Sequence, residues 1–309
     1  MAVRPWVRRS VVLGALVAGV GYARYRRRSA SAASQAGMIT ERHASAFLVR
    51  RRVDGSRLES VREAVSETFA GGEPGRLLGL EGASTASLFL DPGGEVPQLI
   101  WYVELPRSAI VDRDDPESRV EAAFPLEHDA IGSHEVGVER ELLVHAVNPV
   151  RPHTATGASD GPLIVAGSDA GVGTDVELVE LRLESGFPER FADWFAGLSR
   201  RVEAGELDLG SVETWSAEML DAENMYTESM FLERRPDGYA LCQYMETENM
   251  QGVYDAYYDT WNPVARSSEI VVGRVLAEPE RILEYPLETD VELLAHAVDS
   301  SRPRRPEEC

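Results

Sequence analysis

The sequence repeats itself, and an internal repeat constrains the architecture of a chain more than any single motif does. Residues 141–152 read ELLVHAVNPVRP and residues 292–303 read ELLAHAVDSSRP, with eight of the twelve positions identical. Two further pairs of blocks align without gaps in the same order, 87–104 on 229–246 and 48–59 on 178–189. The chain therefore consists of two related halves, and the insertions that separate the blocks fall between predicted elements.

Each half has the same predicted order of elements, which is strand, helix, strand, strand, helix, strand. In the second half, the strand VELVELRL is followed by an apolar stripe with helical spacing that includes Phe191, Phe195 and Val202. The two central strands are joined by DPGGE in one half and by RRPDG in the other, and such turn residues between β-rich runs indicate a hairpin. This order is that of the ferredoxin-like unit, whose four-stranded antiparallel sheet has helices on one face only.

The bare face of each sheet needs a cover, and the other half can supply it. The sequence therefore predicts an α+β fold of two tandem ferredoxin-like (β-α-β-β-α-β) repeats, packed as an intramolecular α+β barrel and preceded by a short apolar segment. Such internal pseudo-dimerisation predicts a monomer. The predicted divisions are a basic and apolar segment at 1–37, repeat one at 38–150, a Gly/Ser/Asp linker at 151–173, repeat two at 174–301 and a tail at 302–309.

Three blocks of the second half, VELVELRL, ESMFLERRPDGYALCQYM and ELLAHA, have looser copies in the first half. With these blocks the chain resembles a family of uncharacterised proteins, found in salt-loving archaea and some bacteria, of the dimeric α+β barrel type. The resemblance implies the ferredoxin-like fold and no particular reaction, because the family has no assigned activity. The second helix of that family follows a His-Pro and has a Glu-His pair, of which the first half keeps only Pro125, Glu127 and His128.

The first 37 residues contain seven arginines and no acid, unlike the rest of the chain. Within them, residues 10–23 form an apolar stretch with arginines on both sides. As a helix this stretch would span about 20 Å of the ~30 Å hydrocarbon core of a membrane, and snorkelling arginines could extend it into an anchor. Two other interpretations stay open, a twin-arginine export signal or a segment outside the working protein with Met38 as the true start.

The charge of the chain excludes one class of partner. There are 52 acidic residues against 31 basic ones, a formal net charge of −21, and every basic residue is arginine because lysine is absent. This composition is typical of salt adaptation, and it excludes sequence-independent binding of nucleic acid, which needs clustered positive charge. Two cysteines and no paired histidines at ligand spacing predict neither a metal site nor a cofactor. We expect a cytoplasmic body, with membrane contact only through residues 10–23.

Alternation along the strands predicts which side chains face the space between the two sheets. Each half contributes one Arg, one Tyr, one Glu and one His. The catalytic candidates are His296, His145, Tyr244 and Tyr102, and the ligand-binding candidates are Arg182, Glu246, Arg52 and Glu104. The same alternation predicts that Leu142 and Leu293, on the last strands, face the helices.

These eight residues have two interpretations. In the first they line a pocket in which His and Tyr contact a small organic ligand and Arg neutralises charge. In the second they form a polar core in which buried groups satisfy one another. The sequence accordingly predicts a small-molecule-binding or structural barrel, with a cofactor-independent monooxygenase-like enzyme acting on a phenolic or enolic substrate as the alternative. Whether the protein is an enzyme is left open.

Overall fold

The computed structural model describes residues 37–69, 74–93, 96–110, 115–134, 137–152, 163–166, 174–207, 211–284, 287 and 289–309. The elements of the first half are β1 (Ile39–Thr40), β2 (Ala44–Val53), α1 (Leu58–Phe69), α2 (Pro74–Leu78), β3 (Thr85–Asp91), β4 (Gln98–Pro106), α3 (Pro116–Ala122), β5 (Ile131–His134) and β6 (Glu139–Val147). Helix α1 forms where the sequence repeats apolar residues every fourth position, and it buries Val61, Val65 and Phe69 against the sheet.

The elements of the second half are β7 (Leu163–Ala166), β8 (Asp175–Arg182), α4 (Phe187–Glu203), α5 (Ser211–Ala222), β9 (Met225–Arg235), β10 (Gly238–Thr247), α6 (Met250–Asp259), α7 (Pro263–Val275), α8 (Glu280–Leu283) and β11 (Glu292–Val298). Asn249 caps α6 by accepting a hydrogen bond from the backbone N–H of Gly252. Pro263 begins α7, which fits the preference of proline for the first turn of a helix. Strand β7 lies within residues 151–173, for which a linker is predicted.

Two antiparallel sheets form the centre of this α+β structure. The first sheet has the order β5-β2-β4-β3-β11-β7, and the second has the order β1-β6-β9-β10-β8. Strand β11 pairs with β3 of the first half, and β6 pairs with β9 of the second half. A ferredoxin-like unit keeps its four strands in one sheet, and that expectation is wrong here. The last strand of each half completes the sheet of the other half.

A β-bulge interrupts each of these exchanged strands. The register shifts between Leu142 and Val144 in β6, and between Leu293 and Ala295 in β11. A bulge adds one residue and reverses the alternation on one side of it. Leu142 and Leu293 therefore pack into the core between the sheets, and the prediction that they face the helices is wrong.

Apolar residues form one core between the sheets and further cores under the helices. The core between the sheets includes Leu48, Phe89, Tyr102, Leu178, Phe231 and Tyr244. The helices of the first half cover residues such as Val49, Leu88, Trp101 and Ala297. The helices of the second half cover residues such as Val179, Leu181 and Met245. The centre of the molecule is thus closed on both faces of both sheets.

In the part of the chain that the structure describes, no helix has the length and apolar character needed to span a membrane. Residues 10–23, for which a membrane anchor is predicted, lie outside the described residues.

Candidate functional site

Two tyrosines lie at the centre of the core between the sheets. Tyr102 of β4 and Tyr244 of β10 stack on each other, with ring centroids 3.6 Å apart and ring planes 7° apart. Both side chains are fully buried. Burial raises the pKa of each phenol well above its usual range, and the nearby glutamates Glu104 and Glu246 add to the increase. The two hydroxyls are therefore neutral hydrogen-bonding groups.

A serine from the opposite half joins each histidine to a tyrosine. Nδ1 of His145 lies 2.9 Å from Oγ of Ser229, which lies 3.0 Å from the hydroxyl of Tyr102. The equivalent set is His296, Ser87 and Tyr244, with distances of 2.9 and 3.2 Å. These contacts follow from the strand exchange, because it places His145 directly opposite Ser229 in the sheet.

Both histidines are buried, and burial lowers the pKa of each to about 4. At neutral pH the two imidazoles are therefore uncharged. Nε2 of His145 is buried and has no hydrogen-bond partner among the residues that the structure describes. An uncharged imidazole with an unoccupied nitrogen is chemically able to accept or donate one more hydrogen bond.

A buried arginine neutralises Glu104. Nη2 and Nη1 of Arg151 donate to Oε1 and Oε2 of Glu104 at 2.8 and 2.9 Å, and Nε of Arg151 donates to the carbonyl oxygen of Pro303 at 2.9 Å. The hydroxyl of Ser84 also donates to Glu104, at 2.8 Å. Burial raises the pKa of Glu104, but the charge of Arg151 and the hydrogen bonds from Arg151 and Ser84 act together with His145 to lower it, and the pKa falls to about 2.

Arg302 makes the same arrangement with Glu246. Its Nη2 and Nη1 donate to Oε1 and Oε2 of Glu246 at 2.8 and 3.1 Å, and its Nε donates to the carbonyl oxygen of Pro152 at 2.8 Å. Burial raises the pKa of Glu246, but the charge and hydrogen bonds of Arg302 act together with His296 and Arg151 to lower it, and the net shift is downward. Each arginine thus binds a carbonyl that follows the arginine of the other half, which ties the ends of both halves together.

Six of the eight predicted site residues, all except Arg52 and Arg182, lie together between the sheets. Arg52 and Arg182 are exposed at the ends of β2 and β8, so the prediction that they reach the space between the sheets is wrong. The alternation of side chains predicts the face of the strand on which each arginine lies, but it does not show how far the buried part of that strand extends. Their expected role falls to Arg151 and Arg302, which we missed although both halves of the repeat keep the Arg-Pro pair.

A second buried ion cluster joins the two sheets near Arg50 of β2. Nε of Arg50 donates to Glu233 at 2.8 Å, and its Nη2 lies 3.1 Å from both Glu180 and Sγ of Cys242. Three potential metal-ligating atoms, one each from Glu180, Glu233 and Cys242, lie within 4.8 Å of one another. Arg50 and Arg235 already neutralise the carboxylates, and burial together with Glu233 raises the pKa of the thiol. The donor set therefore does not fit a metal ion.

A cleft of about 880 Å³ opens between β2 and β6, beside α3 and α4. Its apolar lining includes Leu48, Leu142 and Phe231, and charged residues of both signs complete it. None of the eight predicted site residues lines this cleft. The space available to a ligand there is thus separate from the polar residues between the sheets.

Buried carboxyl groups lie on the other face of the second sheet, under the helices of the second half. Glu223 follows α5 and is only 7% exposed. Burial raises its pKa to about 9, and the neighbouring Glu228 contributes. Glu228 accepts a hydrogen bond from Nε2 of Gln243 at 2.7 Å. Burial and the charge of Asp175 raise the pKa of Glu177 on β8 to about 7. We did not predict these carboxyl groups, because the first half has no equivalent of the Glu223–Glu228 pair.

We expect Glu223→Gln to stabilise the protein at neutral pH. The folded state keeps Glu223 protonated while the unfolded state ionises above pH 4.5, so this residue costs stability as the pH rises from 4.5 toward 9. An amide does not ionise, and the variant should gain about 3 kcal/mol at pH 7 and nothing at pH 4. Urea unfolding at the two pH values measures the difference, with the exposed Glu248→Gln as control. An equal loss of stability at both pH values would contradict this assignment.

Comparisons with known proteins find a similarity in the second half. Residues 174–298, less than half of the chain, match a family described as "Family of unknown function (DUF6176)". No curated protein matches the chain. Two solved structures are similar. A "putative monooxygenase" of Fusobacterium nucleatum is 8% identical, with 86% of this chain and 96% of that one covered and a TM-score of 0.38. An "anthrone oxidase-like protein" is 11% identical, with 84% and 94% covered and a TM-score of 0.28.

Proposed function

We propose that this protein is a ligand-binding α+β barrel without catalytic activity. In this proposal the polar residues between the sheets hold the two halves together, and a small organic ligand binds in the cleft between β2 and β6. The observation that carries the proposal is the mutual pairing of the buried groups. Each glutamate has its own bidentate arginine, and each histidine has its own serine. Apart from Nε2 of His145, groups that are paired in this way offer little to a ligand.

The architecture supports this proposal. The last strand of each half pairs in the sheet of the other half, and in this proposal the two halves of one chain take the place of the two subunits of a dimer. The exchange brings Ser229 to His145 and Ser87 to His296, and the tail residue Pro303 binds Arg151. Polar contacts that cross between halves favour a structural role, because their loss separates the halves.

Native mass spectrometry of the purified full chain tests the proposal. We expect a bound organic molecule that survives in His145→Asn/His296→Asn, because asparagine can replace the hydrogen bond of Nδ1. We expect Leu142→Trp to lose the molecule, since the indole would occupy the space beside the apolar lining of the cleft, and thermal unfolding of the same sample verifies that the variant is folded. Loss of the molecule from the histidine variant alone would show that the ligand binds in the core between the sheets and not in the cleft.

One observation favours the alternative, a cofactor-independent monooxygenase-like enzyme. His145 is uncharged at neutral pH, and its Nε2 has no partner among the described residues, so it could take a proton from a phenolic or enolic substrate. Oxygen uptake with a hydroquinone tests this function. Uptake by the natural protein that His145→Asn abolishes, and that Leu142→Trp does not change, would support the enzyme and reject the binding protein.

A further inference from the structure

The cleft lies against the edges of two strands. Residues 45–49 of β2 and residues 138–142 before and within β6 all line it, as two runs of five consecutive residues. Side chains alternate between the faces of a strand, so a cavity against one face touches every second residue. Consecutive lining residues show that the cleft faces the strand edge, where backbone N–H and C=O groups point.

Most of each edge has no strand partner in the described part of the chain. Strand β2 pairs with β4 along residues 44–52, but on its other edge β5 reaches only Arg51 and Val53. Strand β6 pairs with β9, and on its other edge β1 reaches only Ala146 and Val147. An open edge of this kind is a template for another extended backbone. A stretch of five residues presents an edge about 17 Å long.

Glu41 lies beside the edge of β6. It lines the cleft, and hydrogen bonding to the backbone of His145 in β6 lowers the pKa of its carboxyl group. Burial raises the pKa of Glu41, although this hydrogen bond and the charge of Arg42 lower it. A carboxyl group outside the sheet therefore lies near the backbone of β6, where the carbonyl of an added strand would lie.

The charge of the cleft selects the partner. Six glutamates and three arginines line it. The arginines have carboxylate partners, in the pairs Arg107–Glu203, Arg140–Glu233 and Arg200–Glu141. Glu117 and Glu139, by contrast, are exposed and form no ion pair with another described residue. A partner thus meets an excess of negative charge above an apolar lining.

We propose that the cleft binds a short extended peptide segment with arginine or lysine side chains, by adding it as a strand to the edge of β2 or β6. This inference rests on the proposed binding function and names its ligand class. Backbone hydrogen bonds would supply affinity, apolar side chains of the peptide would contact Leu142 and Phe231, and basic side chains would approach Glu117 and Glu139.

Fluorescence anisotropy of the full chain with a labelled six-residue peptide of alternating valine and arginine tests this. We expect Glu117→Arg/Glu139→Arg to weaken binding about tenfold or more. The matched control is Glu63→Arg/Glu67→Arg on α1, which changes the net charge equally on exposed residues outside the cleft and should weaken binding much less. A second peptide, N-methylated at alternate residues, keeps the charge but cannot pair with a strand edge, and it should bind weakly.

Several results would overturn the inference. Equal binding of the two peptides would show attraction by charge alone, and equal weakening by the two charge reversals would place the attraction elsewhere on the surface. No binding up to ~1 mM would exclude the peptide class. In each of these cases, a bound non-peptide molecule that is lost from Leu142→Trp would still support the proposed binding function. Activity that depends on His145 would instead reject the function itself.

Discussion

Arg151→Met should destabilise the folded protein by about 3–5 kcal/mol, the range expected when one partner of a buried ion pair is removed. Glu104 would remain buried with only Ser84 as a strong partner, and it would have to take up a proton at neutral pH. The variant would also lose the hydrogen bond to Pro303, and with it a link between the two halves. Urea unfolding at pH 7 measures the effect.

Arg182→Met is the matched control, because Arg182 is the exposed arginine for which we expected the same role. Its loss should change the stability by no more than about 0.5 kcal/mol. The double variant Arg151→Met/Glu104→Gln should recover part of the loss, since it leaves no buried charge. If Arg151→Met and Arg182→Met were equally stable, or if the double variant lost the sum of the single effects, the ion pair would not hold the core.

The order of the elements could be predicted from the sequence, but the pairing of the last strands could not. Apolar periodicity and turn residues mark each strand and helix locally. The sheet that a strand joins depends on distant contacts, and β6 and β11 are too alike in sequence to indicate different partners. An alternating strand fits either sheet equally well. The bulges escaped prediction for a related reason, since neither strand has a glycine or proline to mark them.

Prediction of the site succeeded where the repeat and the alternation agreed. Side chains two residues apart on a strand share a face. This alternation correctly places Tyr102, Glu104 and His145 between the sheets. The arginine partners lie beyond the ends of the last strands, where alternation has no meaning. Only the repeat itself indicated them, since Arg151 and Arg302 occupy the same place in the two copies. A residue that both halves keep can therefore belong to the site even where it lies outside a strand.

The two buried histidines should make the stability fall as the pH falls from 6.5 to 4. Each has a pKa of about 4 in the folded protein, against about 6.5 when unfolded, so over this range the unfolded state binds more protons. The contribution is complete above pH 6.5 and is lost below it, by about 3 kcal/mol for each histidine at pH 4. Glu104, with its pKa of about 2, loses its contribution only below pH 4.5.

The natural protein alone would hide this effect. Glu177 and Glu223 have raised pKa values of about 7 and 9, and they gain stability as the pH falls through the same range. The measurement is therefore the difference in unfolding free energy between the natural protein and His145→Asn/His296→Asn, at fixed salt, from pH 7 to pH 4. Because asparagine does not titrate, the variant should become more stable relative to the natural protein below pH 6.5, by up to about 1.4 kcal/mol per pH unit for each histidine replaced. A difference that stays constant with pH would mean that the histidines are not buried in the uncharged form. It would contradict a structural role for the polar residues between the sheets.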